Sequence, residues 1–224
     1  MNRHSNTHKG FTLIELMLSM AFISVMLMAI ALCILQMSTI YTRGETLRQV
    51  NQASRVIATD MQRTFGGADA SSVRTDVVES NGRLCTGQFT YIWNGPPSDD
   101  GSPKYPNNQY EGSTNEIRFI RITDSGAVYC TNPNQRIDAA TARPVELLVA
   151  GDRTLQVRKL TVTSGREGAL TGQRLYTMNV MLGTDSVGTI DTTTDSCKPP
   201  SDLESDLTFC AINEFSITVR AGMR

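Results

Sequence analysis

The 224-residue chain carries 21 Lys and Arg against 22 Asp and Glu, a net charge of −1, and 40 % of its residues are hydrophobic. This near-neutral balance argues against a nucleic-acid surface, which needs clustered cations. Both histidines, His4 and His8, precede Gly10, so the rest of the chain lacks the base or ligand that Ser-His-Asp, Cys-His and HExxH chemistry requires.

The N-terminus combines a polar, basic leader (Arg3, His4, His8, Lys9) with an apolar run from Phe11 to Leu35 whose one formal charge is Glu15. About 20 apolar helical residues at ~1.5 Å each span a ~30 Å hydrocarbon core, so the run is long enough to cross a membrane. A secretory signal places its small-residue cleavage site after the apolar stretch. Here the small residue, Gly10, comes before it. Cutting there removes the leader and leaves the apolar helix in place. An ionised Glu15 inside that helix costs ~2.5–3.5 kcal/mol near mid-bilayer and calls for a partner.

The leader, Gly10, Phe11, Thr12-Leu13-Ile14 and Glu15 together resemble the class III leader of type IV pilins and type II secretion pseudopilins. The resemblance implies that a membrane-embedded prepilin peptidase cleaves after Gly10 and that the new terminus, Phe11, is N-methylated. It implies also that Glu15 offers its carboxylate to the Phe11 amine of a neighbouring subunit during assembly. Without Arg3 and Lys9 the 21 basic residues become 19 against 22 acidic, a net charge of −3.

Beyond Gln36 the apolar residues thin out to Ile40, Leu47, Val50, Ile57, Met61 and Phe65, at helical spacing, among Arg43, Glu45, Arg48, Arg55, Asp60 and Arg63. This predicts that the helix leaves the bilayer and lays one stripe on a soluble core. Gly66-Gly67 is the expected stop. The predicted organisation is therefore a leader at 1–10, a transmembrane half-helix at 11–35, an amphipathic half at 36–67 and an extracytoplasmic β-rich domain at 68–224. No proline precedes Pro96. Many major pilins carry a helix-breaking proline where this chain has Leu32. The segments Tyr41-Thr42-Arg43, Arg48-Gln49-Val50-Asn51 and Asp60-Met61-Gln62-Arg63 resemble the PilW-like and J-type minor pilins. Taken by themselves, Asp60 and Arg63 read as a solvated i,i+3 pair.

Five cysteines divide into Cys33 in the apolar helix, a small hydrophobe there, and Cys85, Cys130, Cys197 and Cys210 beyond it. Four cysteines allow three pairings. Cys197–Cys210 closes a loop of about 14 residues, worth roughly 3 kcal/mol in the chain-entropy model, and with Cys85–Cys130 makes the preferred set. No C-x-x-C spacing supports a zinc site. Disulfides imply an oxidising compartment, in keeping with a basic leader on the cytoplasmic side.

After Gly67 the pattern turns to strands. Phe89, Tyr91 and Trp93 alternate with polar or opposite-facing neighbours. Residues 117–122 and 127–130 flank Asp124-Ser125-Gly126 as an expected hairpin. Further strands are expected at 145–149, 155–162, 175–182 and around Phe215, Ile217 and Val219. Short consecutive strands favour an antiparallel sheet, so the fold class is α+β, with a long N-terminal helix packed on that sheet. Two polar segments, 94–113 and 183–205, do not fit a sheet and read as contact loops or solvated loops. Asp185, Asp191 and Asp195 in the second are of a type that binds calcium, without the spacing of a calcium loop.

The family resemblance implies a minor pilin of a type IV pilus that primes or caps a filament. The alternatives are a minor pseudopilin of a type II secretion system and a filament-tip adhesin. The implied partners are other major and minor pilins, the prepilin peptidase, an inner-membrane assembly platform and, before assembly, membrane lipid. The chain would sit in the inner membrane as a single-pass protein and then in the filament. No catalytic group, cofactor, metal or nucleic-acid partner is expected.

Overall fold

The computed structural model describes residues 12–75, 78–96, 104–113, 117–148, 154–165, 172–184, 188–191 and 193–222. The chain divides into two compact units, Met1–Thr42 and Arg43–Arg224. One helix, α1, runs from Leu13 to Gly66 over 54 residues and belongs to both. It contains no proline, so no interior residue lacks its backbone donor.

In the first unit residues 12–41 are exposed to the surroundings. Their hydroxyls are returned to the helix itself: Ser19 donates to the Leu16 carbonyl at 2.9 Å, Ser24 to Met20 at 2.8 Å and Thr39 to Leu35 at 3.1 Å. A hydroxyl satisfied this way adds little polar cost to an apolar surface.

In the second unit α1 buries Thr46, Val50, Ser54, Ile57, Met61, Thr64 and Phe65. The expected stripe holds from Val50 onward, but Ile40 is 72 % and Leu47 43 % exposed. Thr46 takes the inward place instead, donating its hydroxyl to the Thr208 carbonyl at 3.2 Å. A threonine whose hydroxyl finds a partner packs inward as readily as a leucine, and apolar periodicity does not reveal it.

After α1 come a 3-10 turn at Ala70–Ser72 and a short helix, α2 (Val78–Asn81). A four-stranded antiparallel sheet has the order β1 (Arg83–Cys85), β2 (Phe89–Trp93), β3 (Phe119–Thr123), β4 (Val145–Glu146). A second antiparallel sheet of β5 (Leu155–Ser164), β6 (Arg174–Thr184) and β9 (Ile212–Ala221) has the order β5-β6-β9. Between β6 and β9 lies a small hairpin, β7 (Ile190–Asp191) with β8 (Ser196–Cys197). The architecture is α+β, a long helix on antiparallel sheets.

Both sheets contribute to the core that receives α1. Tyr91, Trp93 and Phe119 from the first and Val157, Leu160, Tyr176, Met178, Val180, Ile217 and Val219 from the second cluster with Val50, Ile57, Met61 and Phe65. The alternation of β2 sends Ile92 to the opposite face, where Ile120, Ile122, Tyr129 and Ile137 form a second cluster. That is why β2 is almost wholly buried.

Residues 127–130 depart from the expected hairpin. Ala127 adopts φ 51° and Val128–Thr131 forms a helical turn, α3. The cause is Asp124, whose Oδ1 accepts the Val128 amide at 2.8 Å while Oδ2 accepts the Thr90 hydroxyl at 2.9 Å. Capped by Asp124, the chain turns into a helix instead of returning along β3, which pairs with β4. A further turn of helix, α4, covers Ala139–Ala142.

Two polar clusters fix the layers. Asp60 of α1 is not a solvated partner of Arg63: its Oδ1 accepts from Arg121 Nη1 at 2.6 Å and its Oδ2 from the Tyr91 hydroxyl at 2.9 Å. Arg121 also lies 5.0 Å from the Phe89 ring centroid. Burial, more than any neighbouring charge, pushes the Tyr91 phenol well above its ordinary pKa, so it remains a donor to the carboxylate.

The second cluster centres on Arg83, which is fully buried (0 %). Its guanidinium donates to Asn108 Oδ1 at 2.9 Å and to the carbonyls of Tyr129 (2.8 Å), Asn132 (3.2 Å), Asn107 (3.4 Å) and Gln135 (2.8 Å). Asn108 in turn donates to the carbonyls of Asn81 and Trp93, both at 2.8 Å. The described second half of the 94–113 segment is thus anchored in the interior. Burial lowers the Arg83 pKa to about 10, which leaves it charged at neutral pH. Gly82, at φ +61°, permits the approach: a Cβ there would lie 2.4 Å from Tyr105 Cδ2.

Arg83→Leu leaves these buried acceptors unpaired, and one such group costs about 1–3 kcal/mol. The substitution is expected to lower unfolding stability of the detergent-solubilised chain by about 3 kcal/mol or more, since several acceptors are involved. Denaturant unfolding followed by Trp93 fluorescence measures it, and a change within error of zero would show that water or rearrangement replaces the guanidinium.

Candidate functional site at the head of the apolar helix

Thr12 stands immediately before α1 and its carbonyl accepts the Leu16 amide at 3.2 Å. Its own backbone amide donates to Glu15 Oε2 at 3.0 Å, and its hydroxyl donates to the same oxygen at 2.8 Å. The Glu15 amide donates back to Thr12 Oγ1 at 3.4 Å. This reciprocal arrangement is a capping box, which satisfies donors that the first helical turn leaves without intrahelical partners. It also sets a carboxylate at the positive end of the helix dipole. Glu15 is therefore held by its own chain while no neighbour is present.

Of the residues singled out from the sequence, Gly10 and Phe11 lie outside the described residues, and Glu15 lies within α1. Thr12 is the partner that the sequence reading passed over. Its signal was legible, because Thr-x-x-Glu ahead of an apolar run is the capping-box pattern.

Glu15 heads a groove of about 640 Å³ whose lining among the described residues also includes Leu18, Ser19, Ala21, Phe22 and Val25. Leu18, Phe22 and Val25 follow Glu15 at helical spacing and share its side of α1, while Ser19 and Ala21 are small enough to leave the groove open. This is an apolar helix face with one carboxylate at its head. α1 is long and apolar enough to cross a membrane, and none of its most apolar window is buried in protein.

The cysteines complete the inventory. Cys85 is bonded to Cys130 and Cys197 to Cys210, with Cα separations of 6.0 and 5.9 Å. Among the described residues Cys33 is a free, exposed thiol. In the second loop Asp191 Oδ1 accepts the Thr193 amide and hydroxyl at 2.8 and 2.6 Å, and Asp195 lies 3.5 Å from Arg158 Nη2. Asp185 is outside the described residues. No group of three or more His, Cys, Asp or Glu suited to a metal occurs among the described residues.

Thr12→Val deletes both hydroxyl bonds of the box and keeps the side-chain shape. Loss of an N-cap costs about 1 kcal/mol, so amide exchange at Glu15 and Leu16 in lipid nanodiscs is expected to speed up about five- to tenfold. Unchanged exchange would mean that Glu15 alone holds the first turn.

A family model for the prokaryotic N-terminal methylation motif matches residues 5–32. No curated protein and no solved structure matches the chain. The matched segment covers His8, Lys9, Gly10, Phe11, the Thr12–Glu15 box and most of the apolar run. The N-terminus of the chain is thus similar to the prokaryotic N-terminal methylation motif, the signal of type IV pilin-like prepilins, and it is followed by the long helix α1.

Proposed function

We propose that the chain is a minor pilin of a type IV pilus, a structural subunit that primes or caps filament assembly. In this reading residues 1–10 are removed by the prepilin peptidase after Gly10, and Phe11 becomes the methylated N-terminus. Residues 11–35 hold the chain in the inner membrane, with the domain from 68 onward outside it. Assembly transfers the apolar helix from lipid to the company of other major and minor pilins on an inner-membrane platform.

The observation that carries the proposal is the carboxylate of Glu15 at the head of an otherwise apolar, uncovered helix face. In hydrocarbon a carboxylate needs a counter-charge or donors, and the capping box supplies donors but no charge. The amine of a neighbouring subunit's Phe11 supplies the charge, which gives assembly a favourable electrostatic step within an apolar contact. The minor pseudopilin of a type II secretion system is the second reading, because the prepilin signal is common to both machines.

Two measurements test this. Intact mass and N-terminal sequencing of the protein extracted from its native membrane are expected to show a chain beginning at methylated Phe11. A retained leader, or a cut beyond Leu35, contradicts the prepilin route. Glu15→Ala is expected to leave cleavage intact and to reduce recovery of the subunit in sheared filaments tenfold or more, the order of one lost ion pair of ~1.4 kcal/mol or greater in a low-dielectric setting. Normal incorporation of that variant excludes the pairing with Phe11.

A further inference from the structure

In the second unit the solvent face of α1 is basic. Arg48, Arg55 and Arg63 are exposed, and their spacing puts them in one stripe opposite the buried Val50, Ile57 and Met61. Arg48 has a surface contact with Glu45 at 3.6 Å, while Arg55 and Arg63 have no ion-pair partner among the described residues. Val56, half exposed at 50 %, lies within the stripe. Beyond Arg63 the surface continues into a polar cleft of about 320 Å³ whose lining includes Gln88, Phe89 and Arg121.

A second surface has the opposite character. Residues 198–209 form a loop closed by Cys197–Cys210, carrying Asp202, Glu204 and Asp206, with Leu203 fully exposed at 104 %. The loop is fixed from inside: the Asp202 amide donates to the Pro199 carbonyl at 2.9 Å, Ser205 to Asp202 at 3.1 Å and Cys210 to Asp206 at 3.0 Å. Lys198 pairs with Glu204, and Ser205 Oγ donates to the Lys198 carbonyl at 2.9 Å. A leucine held outward on such a rigid, acidic mount has no packing partner among the described residues of its own chain. The loop base is tied to the buried side of α1 through Thr46 and the Thr208 carbonyl, on the side away from the arginines.

We propose that the disulfide-closed loop of one copy docks on the arginine face of α1 in a second copy, with Leu203 packing against Val56 and Asp202, Glu204 and Asp206 facing Arg48, Arg55 and Arg63. Charge complementarity selects this occupant: the face is basic and weakly apolar, and the loop is acidic with a single apolar knob. Two different patches that complement one another make a head-to-tail contact, which does not close into a symmetric dimer. The contact needs only two copies and holds whichever machine uses the chain.

The test places p-benzoylphenylalanine at Leu203 in the full chain, reconstituted in liposomes with an equal amount of isotopically heavy unsubstituted chain. After irradiation, light-to-heavy crosslinks mapping to residues 48–63 are expected. The D202K/E204K/D206K variant should lower their yield at least fivefold, and pairing it with an R48E/R55E/R63E partner should restore the yield. If the triple variants fold poorly, a salt titration of the unsubstituted loop decides, since ~1 M salt shortens the screening length to ~3 Å and should suppress the crosslink. No intermolecular crosslink, crosslinks mapping elsewhere or to lipid, or a yield indifferent to charge and salt would each overturn the proposal.

Discussion

A single uninterrupted helix must meet the demands of two solvents. In hydrocarbon every backbone donor and acceptor has to be satisfied within the segment, and α1 achieves this by running without proline and by folding its serine and threonine hydroxyls back on its own carbonyls. Within the soluble unit the same helix has to present a stripe that a β-sheet can cover. It does so with Val50, Ile57, Met61 and Phe65, joined by hydroxyl residues at Thr46, Ser54 and Thr64. The domain is built on that stripe, since both sheets contribute to the cluster around it.

The polar clusters then set position where hydrophobic burial alone is permissive. An apolar stripe on an apolar sheet face can slide at little cost, because burial is not directional. Asp60, held by Arg121 and by the Tyr91 hydroxyl, cannot. Partly buried at 18 % side-chain exposure, this carboxylate has two specific donors from two strands, and a shift of α1 by one turn would strand it. Register along the helix is thereby fixed by charge and hydrogen bonding, while affinity between the layers comes from the core.

The sequence was most legible where one physical pattern dominates over many residues. The apolar run with its basic leader and Glu15, the helix to Gly66, and strands around 89–93, 155–162, 175–182 and 215–219 all follow from length, periodicity and alternation, while the observed strands run a few residues further, to 155–164, 174–184 and 212–221. The hairpin expected at 117–130 failed because one carboxylate, Asp124, caps the following turn, and propensity does not contain that information. Arg83 was invisible for a related reason. A lone arginine at a strand start reads as surface, and its burial depends on carbonyls from residues 107, 129, 132 and 135 that only the folded chain gathers. Thr12 was different, since its pattern was present and was overshadowed by the motif around it.

The Arg83 cluster bears on how the first disulfide forms. Arg83 lies two residues before Cys85, and one of its acceptors, the Tyr129 carbonyl, immediately precedes Cys130. Once the guanidinium engages that carbonyl, the two thiols share a small volume, and their effective concentration for exchange rises far above that of any competing pair. Of the three pairings open to four cysteines, these hydrogen bonds favour the one observed. The disulfide and the Arg83 hydrogen bonds thus hold the same two segments together, one covalently and the other reversibly.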